Sequence, residues 1–355
     1  MNNTKKIAKL LPEGIDAAIF TDENDRFWLT GFRSSAGTVV VGHEKSAFYT
    51  DFRYIEAAKA AISGTEVILL DKLFDQLTSF LDGINAKKIA LRDDKTTIRL
   101  ARQYETSLPK FHPQFSRELA DLFEGAVMLK DEEELETMRK AQQITDEALA
   151  AVLPQIKVGM PEKELTAKIE DEMKKRGAEG VSFDLIVVSG KKSAMPHGVP
   201  DGSPIQNNAF LTMDIGVKYN GYCSDMTRTV CVGQPTEEMK KVYEIVLEAQ
   251  RRALAAIAPG KICSDIDKIA RDYIYQSGYE GCFGHGLGHG LGVMIHESPR
   301  FSPACSTVLQ PGMVLSVEPG IYLEGKFGVR IEDVIFVTET GCEDITKSPK
   351  ELICL

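Results

Sequence analysis

The sequence predicts an α+β protein with two domains, a smaller α/β domain followed by a larger α+β domain. At 355 residues the chain is long for a single hydrophobic core. In the first third, short apolar runs alternate with helical stretches, as in α/β domains. In the remainder, helices are interleaved with segments that have the pattern of antiparallel hairpins, which is typical of α+β domains.

The composition restricts the kinds of partner that we expect the protein to bind and its expected location in the cell. Hydrophobic residues make up 43% of the chain and charged residues 26%, as in ordinary globular proteins. The formal net charge of −10 argues against nucleic acid as a partner, because nucleic-acid binders usually carry a basic stripe. We find no apolar run of about 18 residues and no secretory signal, so we expect no membrane span and a cytoplasmic location. The seven cysteines are expected to be reduced.

The first domain is predicted to contain a mixed sheet. Five short apolar runs are suited to strands, namely residues 14–20, 38–41, 46–50, 66–70 and 88–91. Residues 52–62 and 72–82 have helical character and lie between them. The single tryptophan, Trp28, stands in an aromatic cluster that most often indicates a core, although near a site it could be an anchor. We place the domain boundary between residues 124 and 125.

Four helices and several strands are predicted for the second domain. Acidic residues at 131–134 favour a helix start, and an apolar stripe continues to about residue 153. Pro161 and Gly177 mark the ends of a second helix. Two more helices are predicted at residues 237–257 and 264–277. Strand signals cover residues 182–189, 209–230, 313–318 and 328–338.

A hairpin within residues 211–230 carries two unexpected acids. Asn220-Gly221 is a strong signal for a two-residue type I′ turn. If the flanking tyrosines pair, Asp214 and Asp225 become diagonal neighbours on one face, with Cβ atoms roughly 6 to 8 Å apart. Two carboxylates so close repel each other unless a proton or a cation lies between them. The alternative is that both acids face solvent, and the hairpin alone does not decide.

Histidines are concentrated in the second domain. Four of the six are found there, at His197, His285, His289 and His296, and three of these fall within twelve residues. Residues 284–292 contain too much glycine for a stable helix, so we expect their backbone to approach another group closely. Neutral imidazole is a common ligand of transition metals, whereas the alternative is a flexible loop.

Two glutamates stand in apolar strands that would not normally hold a charge. These are Glu318 and Glu332, and Arg330 lies on the same strand face as the latter. Each alone could be a salt-bridge partner, but two such strands make a shared cation the better hypothesis. Two Asp, one His and two Glu form a sulfur-free set that suits two Mn²⁺, Co²⁺, Fe²⁺ or Zn²⁺ ions better than a structural zinc. Such a pair of ions implies hydrolysis.

These residues resemble the pita-bread metallopeptidases, and within them the Xaa-Pro aminopeptidases and the Xaa-Pro dipeptidases, or prolidases. The histidine spacing around His285 and His289, the later His296, and His197 between proline and glycine are similar to the proline-specific branch. The aromatic cluster around Trp28 is similar to a creatinase-type domain. The resemblance puts the five metal ligands on Asp214, Asp225, His289, Glu318 and Glu332.

The resemblance implies a creatinase-like domain at residues 1–124 and a pita-bread catalytic domain at residues 125–355. It implies hydrolysis of the N-terminal Xaa-Pro bond of short peptides with two divalent ions, Mn²⁺ first and Co²⁺, Zn²⁺ or Fe²⁺ as alternatives. A prolidase restricted to dipeptides is the close alternative. A methionine aminopeptidase and a binding module without activity are weaker ones, because the former usually lacks the first domain and the latter has lost ligands.

The resemblance also implies roles for individual side chains. Glu318 would bind metal and act as the general base that moves a proton from water to the proline nitrogen. His296, with His197 as a second candidate, would hydrogen-bond the oxyanion or the substrate carbonyl. His285 and Arg330 would position the proline side of the substrate. A homodimer is implied as well, because a tryptophan at the position of Trp28 can reach a neighbouring subunit's site in the family.

Overall fold

Two compact units make up the protein. The structure is a computed structural model that describes residues 2–355. The first unit ends at Val127 and the second covers Met128–Leu355. The boundary placed between residues 124 and 125 falls in the last turn of an unpredicted helix, Arg117–Met128. Within residues 2–355, no helix combines the length and the apolar character needed to cross a membrane.

Unit 1 contains the predicted mixed sheet, with six strands in the order β4-β3-β2-β1-β5-β6. The strands are β1 (Ala17–Phe20), β2 (Thr38–Gly42), β3 (Ser46–Thr50), β4 (Glu66–Leu69), β5 (Ile89–Arg92) and β6 (Gln114–Ser116). The helices are α1 (Thr4–Leu10), α2 (Glu23–Thr30), α3 (Ile55–Ala61), α4 (Leu73–Gly83), α5 (Ile98–Ser107) and α6 (Arg117–Met128). All five predicted strands and both predicted helices are present, whereas the short β6 carries no apolar run and was missed.

Trp28 is a core residue of unit 1. Its side chain is 2% exposed and its ring packs edge-on against Phe123, with 5.1 Å between the ring centres. A side chain buried in its own unit lends no support to a contact between Trp28 and a neighbouring subunit, and the homodimer stays a prediction. Burial of a large aromatic ring in the core is the ordinary outcome for tryptophan.

Unit 2 has the four predicted helices. They are α7 (Glu132–Val152), α8 (Glu162–Lys175), α9 (Glu237–Ala256) and α10 (Cys263–Ile274). Asp131 caps α7 in a reciprocal arrangement with Glu134, which confirms the acidic helix start. A single π turn, Tyr275–Tyr279, follows α10. The chain then runs without regular structure to residue 288.

The strands of unit 2 form small antiparallel sheets. Three-stranded sheets have the orders β12-β9-β8 and β11-β10-β7, a five-stranded sheet has the order β14-β13-β15-β18-β19, and β16 pairs with β17. The strands are β7 (Gly180–Val181), β8 (Ile186–Ser189), β9 (Ala209–Ile215), β10 (Val217–Tyr219), β11 (Tyr222–Cys223), β12 (Met226–Val232), β13 (Gly288–Gly290), β14 (Glu297–Phe301), β15 (Val314–Val317), β16 (Gly320–Leu323), β17 (Phe327–Arg330), β18 (Asp333–Val337) and β19 (Cys342–Asp344).

The hairpin has the predicted turn and register. Asn220 and Gly221 have φ values of 44° and 80°, as a type I′ turn requires. The flanking tyrosines pair across the turn, and Asp214 lies opposite Thr227. The Asp214 and Asp225 positions are therefore diagonal neighbours, as the sequence predicted.

Two helix pairs cover the apolar faces of the sheets. Side chains of α7 and α8 form one core with β8, β9 and β12, while α9 and α10 form another with β15 and β18. The hairpin meets the five-stranded sheet where the Glu332 N–H donates to the Thr227 carbonyl, at 3.1 Å. This junction brings the acids of the hairpin next to those of the second sheet.

Candidate metal centre

A cavity of about 490 Å³ in unit 2 is lined by all nine residues that the sequence analysis proposed as metal ligands or catalytic residues. Its lining includes the five expected ligands and four expected catalytic residues, namely Asp214, Asp225, His289, Glu318, Glu332, His197, His285, His296 and Arg330. They come from five places: the hairpin, the loop that carries His197, the glycine-rich segment, the residue before β14, and the ends of β15, β17 and β18. Segments distant in sequence therefore meet at one place.

Three buried side chains form a cluster with metal-binding geometry. One oxygen or nitrogen each from Asp225, His289 and Glu332 lie within 4.8 Å of one another. The His289 Nε2 atom is 3.6 Å from an Asp225 oxygen and 3.6 Å from a Glu318 oxygen. Glu318 therefore borders the cluster through the same ring nitrogen.

His289 is oriented as a metal ligand requires. Its Nδ1 lies 3.1 Å from the Gly290 carbonyl, a contact in which the nitrogen must donate. Burial lowers the pKa of His289 to about 4, so the ring is neutral near pH 7. The Nε2 atom then presents its lone pair to the carboxylates. A backbone carbonyl that fixes the tautomer in this way is the usual partner of a metal-binding histidine.

Asp214 has one oxygen in use and one without a partner. Its Oδ2 accepts a hydrogen bond from Arg330 Nη2 at 2.6 Å. Its Oδ1 is buried and has no hydrogen-bond partner among residues 2–355. A buried carboxylate oxygen without a donor is costly, and a cation would satisfy it. Glu332, in contrast, accepts from the Thr227 hydroxyl at 2.7 Å.

The carboxylates of the centre oppose one another electrostatically. Burial, followed by the charge of neighbouring acids, raises the pKa of Asp225 and of Glu332 well above the usual range. Burial also raises the pKa of Glu318 to about 8. Without a cation these groups cannot all ionise near neutral pH. A neutral imidazole and several carboxylates, with no sulfur, form a donor set that fits divalent metal ions.

The glycine-rich segment packs against neighbouring backbone, as predicted. A Cβ atom on Gly288 would lie 1.9 Å from the Ser316 carbonyl oxygen. On Gly290 it would lie 2.4 Å from the Ser298 carbonyl oxygen. Only glycine allows β14 and β15 to approach β13 so closely from both sides. His289 is held between these two glycines.

A hydrogen-bonded chain leads from Asp214 to His285. Arg330 Nη1 donates to the Tyr322 hydroxyl at 2.9 Å, and that hydroxyl lies 2.9 Å from His285 Nε2. His285 Nδ1 donates to the Gly286 carbonyl at 2.8 Å, so Nε2 accepts the tyrosine proton. Burial lowers the pKa of His285 to about 4 and raises that of Tyr322 to about 12. Both groups are therefore neutral.

The other two histidines, His296 and His197, line the same cavity. The ring of His296 is nearly perpendicular to that of His289, with 4.5 Å between their centres. Burial lowers the pKa of His296, which favours its neutral form. His197 is exposed and follows the 3₁₀ helix Gly190–Ala194. It lines the same cavity from a loop.

Sequence reasoning missed three polar residues of the site. Thr227 donates to Glu332 and accepts from Arg330 Nε at 3.0 Å. It lies two residues after Asp225, so both side chains are on the same face of the hairpin. That period of two could have revealed it. Tyr322 and Arg300 carry no comparable signal, because each is an ordinary strand residue until the fold brings Tyr322 next to Arg330 and Arg300 to the cavity.

Buried carboxylates and a neutral imidazole around one cavity define the class of carboxylate-rich metallohydrolases. Residues 136–339 match the model of metallopeptidase family M24. Residues 4–122 match the creatinase/prolidase N-terminal domain. The chain therefore belongs to metallopeptidase family M24, and it is a hydrolase of a family that uses divalent metal.

Full-length relatives share both units. An Xaa-Pro dipeptidase of Pyrococcus furiosus is 37% identical over 352 residues, which are 98% of this chain and 99% of that protein. The structure of an Xaa-Pro dipeptidase from Bacillus anthracis is 39% identical, with a TM-score of 0.91 and coverage of 99% of this chain and 97% of that one. The structure of an X-Pro aminopeptidase from Thermotoga maritima MSB8 is 36% identical, with a TM-score of 0.92 and coverage of 100% of both chains.

We expect the metal-free protein to lose thermal stability as the pH rises from about 6.5 to about 8. The folded-state pKa of Glu318 is about 8 against an ordinary 4.5, so only the unfolded chain is deprotonated in this range. Stability then falls by about 1.4 kcal/mol per pH unit for each carboxyl that stays protonated in the fold. The lowered pKa values of His285 and His289 keep both rings neutral in the folded state, whereas in the unfolded chain each is about half protonated near pH 6.5. Their contribution to stability opposes the fall near pH 6.5, and it ends above about pH 7.5, where both rings are neutral in both states.

Calorimetry of chelator-treated protein across this pH range, with and without Mn²⁺, tests the expectation. Bound metal should remove the fall in Tm, because the carboxyls are then deprotonated in the folded state too. Glu318→Gln, which cannot titrate, should make the metal-free curve flatter. A Tm of the metal-free protein that stays constant or rises from pH 6.5 to 8 would contradict it.

Proposed function

We propose that this metallopeptidase removes the residue before proline from the amino end of short peptides, using two divalent ions, with Mn²⁺ preferred. The cluster of Asp225, His289 and Glu332 carries the proposal, because three ligand atoms within 4.8 Å of one another lie in a cavity surrounded by further histidines. The names of the full-length relatives support the choice of the Xaa-Pro bond.

Five side chains would hold the metal ions, namely Asp214, Asp225, His289, Glu318 and Glu332. The unpartnered Asp214 Oδ1 and the raised pKa values of the other acids support this assignment. When bound, the ions would supply a Lewis acid for the scissile carbonyl and a water of lowered pKa.

Glu318 would transfer the proton. Its carboxylate would accept a proton from the attacking water and deliver it to the departing proline nitrogen. Burial raises the pKa of Glu318 to about 8 in the metal-free site, and bound metal would favour the ionised form that a general base requires. The Ser316 hydroxyl, 3.4 Å from Glu318 Oε1, would help to fix its orientation.

His296 and His197 would stabilise the developing oxyanion. A neutral imidazole keeps one N–H donor, and the lowered pKa of His296 favours this form. A donor placed at the developing negative charge is often the largest single contribution in acyl transfer. His197 would provide a second donor from the exposed loop.

We infer narrower roles for Arg330 and His285 than free contacts with substrate, because hydrogen bonds within the protein already engage both side chains. Arg330 donates to Asp214, Tyr322, Thr227 and the Pro196 carbonyl, so its main effect would be to orient Asp214. Both ring nitrogens of His285 are engaged. His285 would therefore meet the proline ring through van der Waals contact of its own ring.

A prolidase restricted to dipeptides is the second candidate. Arg300 favours it, because this cation lines the cavity and could bind the carboxylate that a dipeptide carries directly after proline. The relatives from Pyrococcus furiosus and Bacillus anthracis are also named as dipeptidases. A longer peptide has no carboxylate at that position.

The deciding experiment compares Ala-Pro with Ala-Pro-Ala as substrates of the Mn²⁺-loaded protein. Release of alanine from both supports an aminopeptidase, whereas release from Ala-Pro alone supports a prolidase. Ala-Ala serves as the control without proline, and Met-Ala-Ser tests for methionine aminopeptidase activity. Metal-loaded protein that cleaves neither proline peptide would refute the proposal.

Glu332→Gln should reduce the bound metal by at least one equivalent. The substitution keeps the volume of the side chain but replaces a carboxylate by a weaker, neutral ligand, and Asp214→Asn should act in the same way. Elemental analysis after gel filtration gives the metal count. Glu324→Gln, an exposed acid in the turn between β16 and β17, is the control and should bind as the parent does. An unchanged count in both ligand variants would reject the ligand set.

Glu318→Ala should lower kcat by about 10²- to 10⁴-fold, because general acid-base catalysis is lost. Steady-state kinetics at saturating Mn²⁺ measures the loss, and the Tm shows whether the fold persists. Near-normal turnover of the metal-replete variant would be incompatible with the role of Glu318.

We also propose a homodimer that acts in the cytoplasm. The buried Trp28 no longer supports the dimer, but Phe52 of unit 1 is 86% exposed and offers apolar surface that a partner could cover. Light scattering at micromolar concentration should give twice the chain mass of 39.2 kDa. The mass of a single chain would exclude the dimer, and fractionation of cells would test the location.

A further inference from the structure

We propose that Asp267 and Arg271, on α10, position His285 for its contact with the substrate. This inference rests on the proposed function, in which the ring of His285 meets the proline side of the peptide. Neither residue is part of the cavity lining. We call the pair the α10 clamp, and we regard both members as positioning residues because they act through His285.

The α10 clamp holds the backbone on both sides of His285. Arg271 Nη1 donates to the Phe283 carbonyl at 2.8 Å, and Arg271 Nη2 donates to the His285 carbonyl at 2.7 Å. Asp267 Oδ1 accepts from the Leu287 N–H at 2.9 Å. Three backbone groups within five residues are thus bound by two side chains of one helix.

The two members of the clamp also fix each other. Arg271 Nε and Nη2 donate to the two oxygens of Asp267, each at 2.8 Å, in the paired geometry that a guanidinium and a carboxylate favour. Asp267 is 1% exposed, so solvent does not compete for it. The guanidinium carbon lies 4.4 Å from the centre of the Phe283 ring. A lysine could keep the charge but not this set of directed bonds.

The segment needs such support because it has no regular structure of its own. Residues 280–287 lie between the π turn and β13, outside any strand ladder. Glycines at 284 and 286 flank His285 and increase the backbone freedom to be restrained. The Phe283 ring also packs edge-on against the His285 ring, with 5.0 Å between centres. The clamp therefore controls both the backbone and one ring neighbour of His285.

A change in the α10 clamp has a second way to affect the site, through Glu318 instead of through His285. The Leu287 carbonyl accepts from the Glu318 N–H at 2.8 Å, so a displaced segment could disturb a proposed metal ligand instead. Metal content distinguishes the two routes. Action through His285 leaves the metal count unchanged, whereas action through Glu318 lowers it.

The test is a double-mutant cycle on the Mn²⁺-loaded full-length protein with Ala-Pro as substrate. Arg271→Leu should lower kcat/KM by about 10- to 100-fold, the usual effect of a small displacement of a contact residue. The same substitution in a His285→Ala background should cause less than about a twofold further loss, because the residue through which the clamp acts is already gone.

Two further variants keep the test independent of folding. Arg271→Lys, which retains charge, should still lower kcat/KM with a smaller change in Tm. Lys268→Leu is the matched control, since Lys268 and Asp272 form an exposed pair with the same spacing on the same helix. It should leave kcat/KM unchanged. Equal losses from Arg271→Leu with and without His285, a loss of metal, or no loss at all from either Arg271 variant would overturn the proposal.

A spectroscopic measurement separates this inference from the proposed function. Nitrogen-detected NMR of the histidine rings reports the Nδ1–H tautomer and the surroundings of His285, whatever the substrate. Arg271→Lys should shift the His285 ring signals and Lys268→Leu should not. If the parent protein cleaves no proline peptide, the proposed function fails while this result still decides the positioning role. Unchanged His285 signals in Arg271→Lys would overturn it.

Discussion

The close approach of buried carboxylates around His289 is the constraint on which the rest of unit 2 depends. Asp225 and Glu332 lie within 4.8 Å of this ring's ligand atom and of each other, and Glu318 borders them. Such a cluster is unfavourable on its own, because burial and mutual repulsion both oppose ionisation. It becomes favourable when divalent metal compensates the charge. The cluster is thus unfavourable for folding by itself, and the proposed metal ions would offset that cost.

Interactions outside the cavity keep the site residues in place. Buried ion pairs hold the segments that carry site residues. Lys130 and Glu297, 2.7 Å apart and buried, fix the start of β14 next to His296. Arg228 and Asp333, also 2.7 Å apart and buried, stand behind the backbone of Glu332. Buried pairs of this kind are weak evidence for stability, but they restrict geometry, which a metal centre requires. The α10 clamp beside His285 restricts geometry in the same way, although Arg271 is only partly buried.

Family membership and geometry contribute different parts of the functional interpretation. Membership of family M24 establishes a metallopeptidase, and the full-length relatives direct attention to the bond before proline. The geometry then revises individual roles. Arg330 donates hydrogen bonds to Asp214 and Tyr322, so the role proposed for it is to orient Asp214 and not to meet the substrate as a free cation. Arg300, which the sequence did not single out, is the cation that faces the cavity from β14.

The sequence by itself determined the features that depend on neighbours along the chain. The turn at Asn220-Gly221 set the register that made Asp214 and Asp225 diagonal neighbours, because a two-residue loop leaves no other pairing. Glutamates in apolar strands marked two more site residues, because an isolated charge does not belong there.

Only the tertiary structure decided how those residues are held. The bond between Arg330 and Asp214 joins positions 116 residues apart, and the clamp of Arg271 on the His285 carbonyl spans 14. The burial of Trp28 in its own unit is likewise a consequence of long-range packing. No local pattern of charge or hydrophobicity encodes such contacts, because their geometry arises only when distant strands and helices pack together.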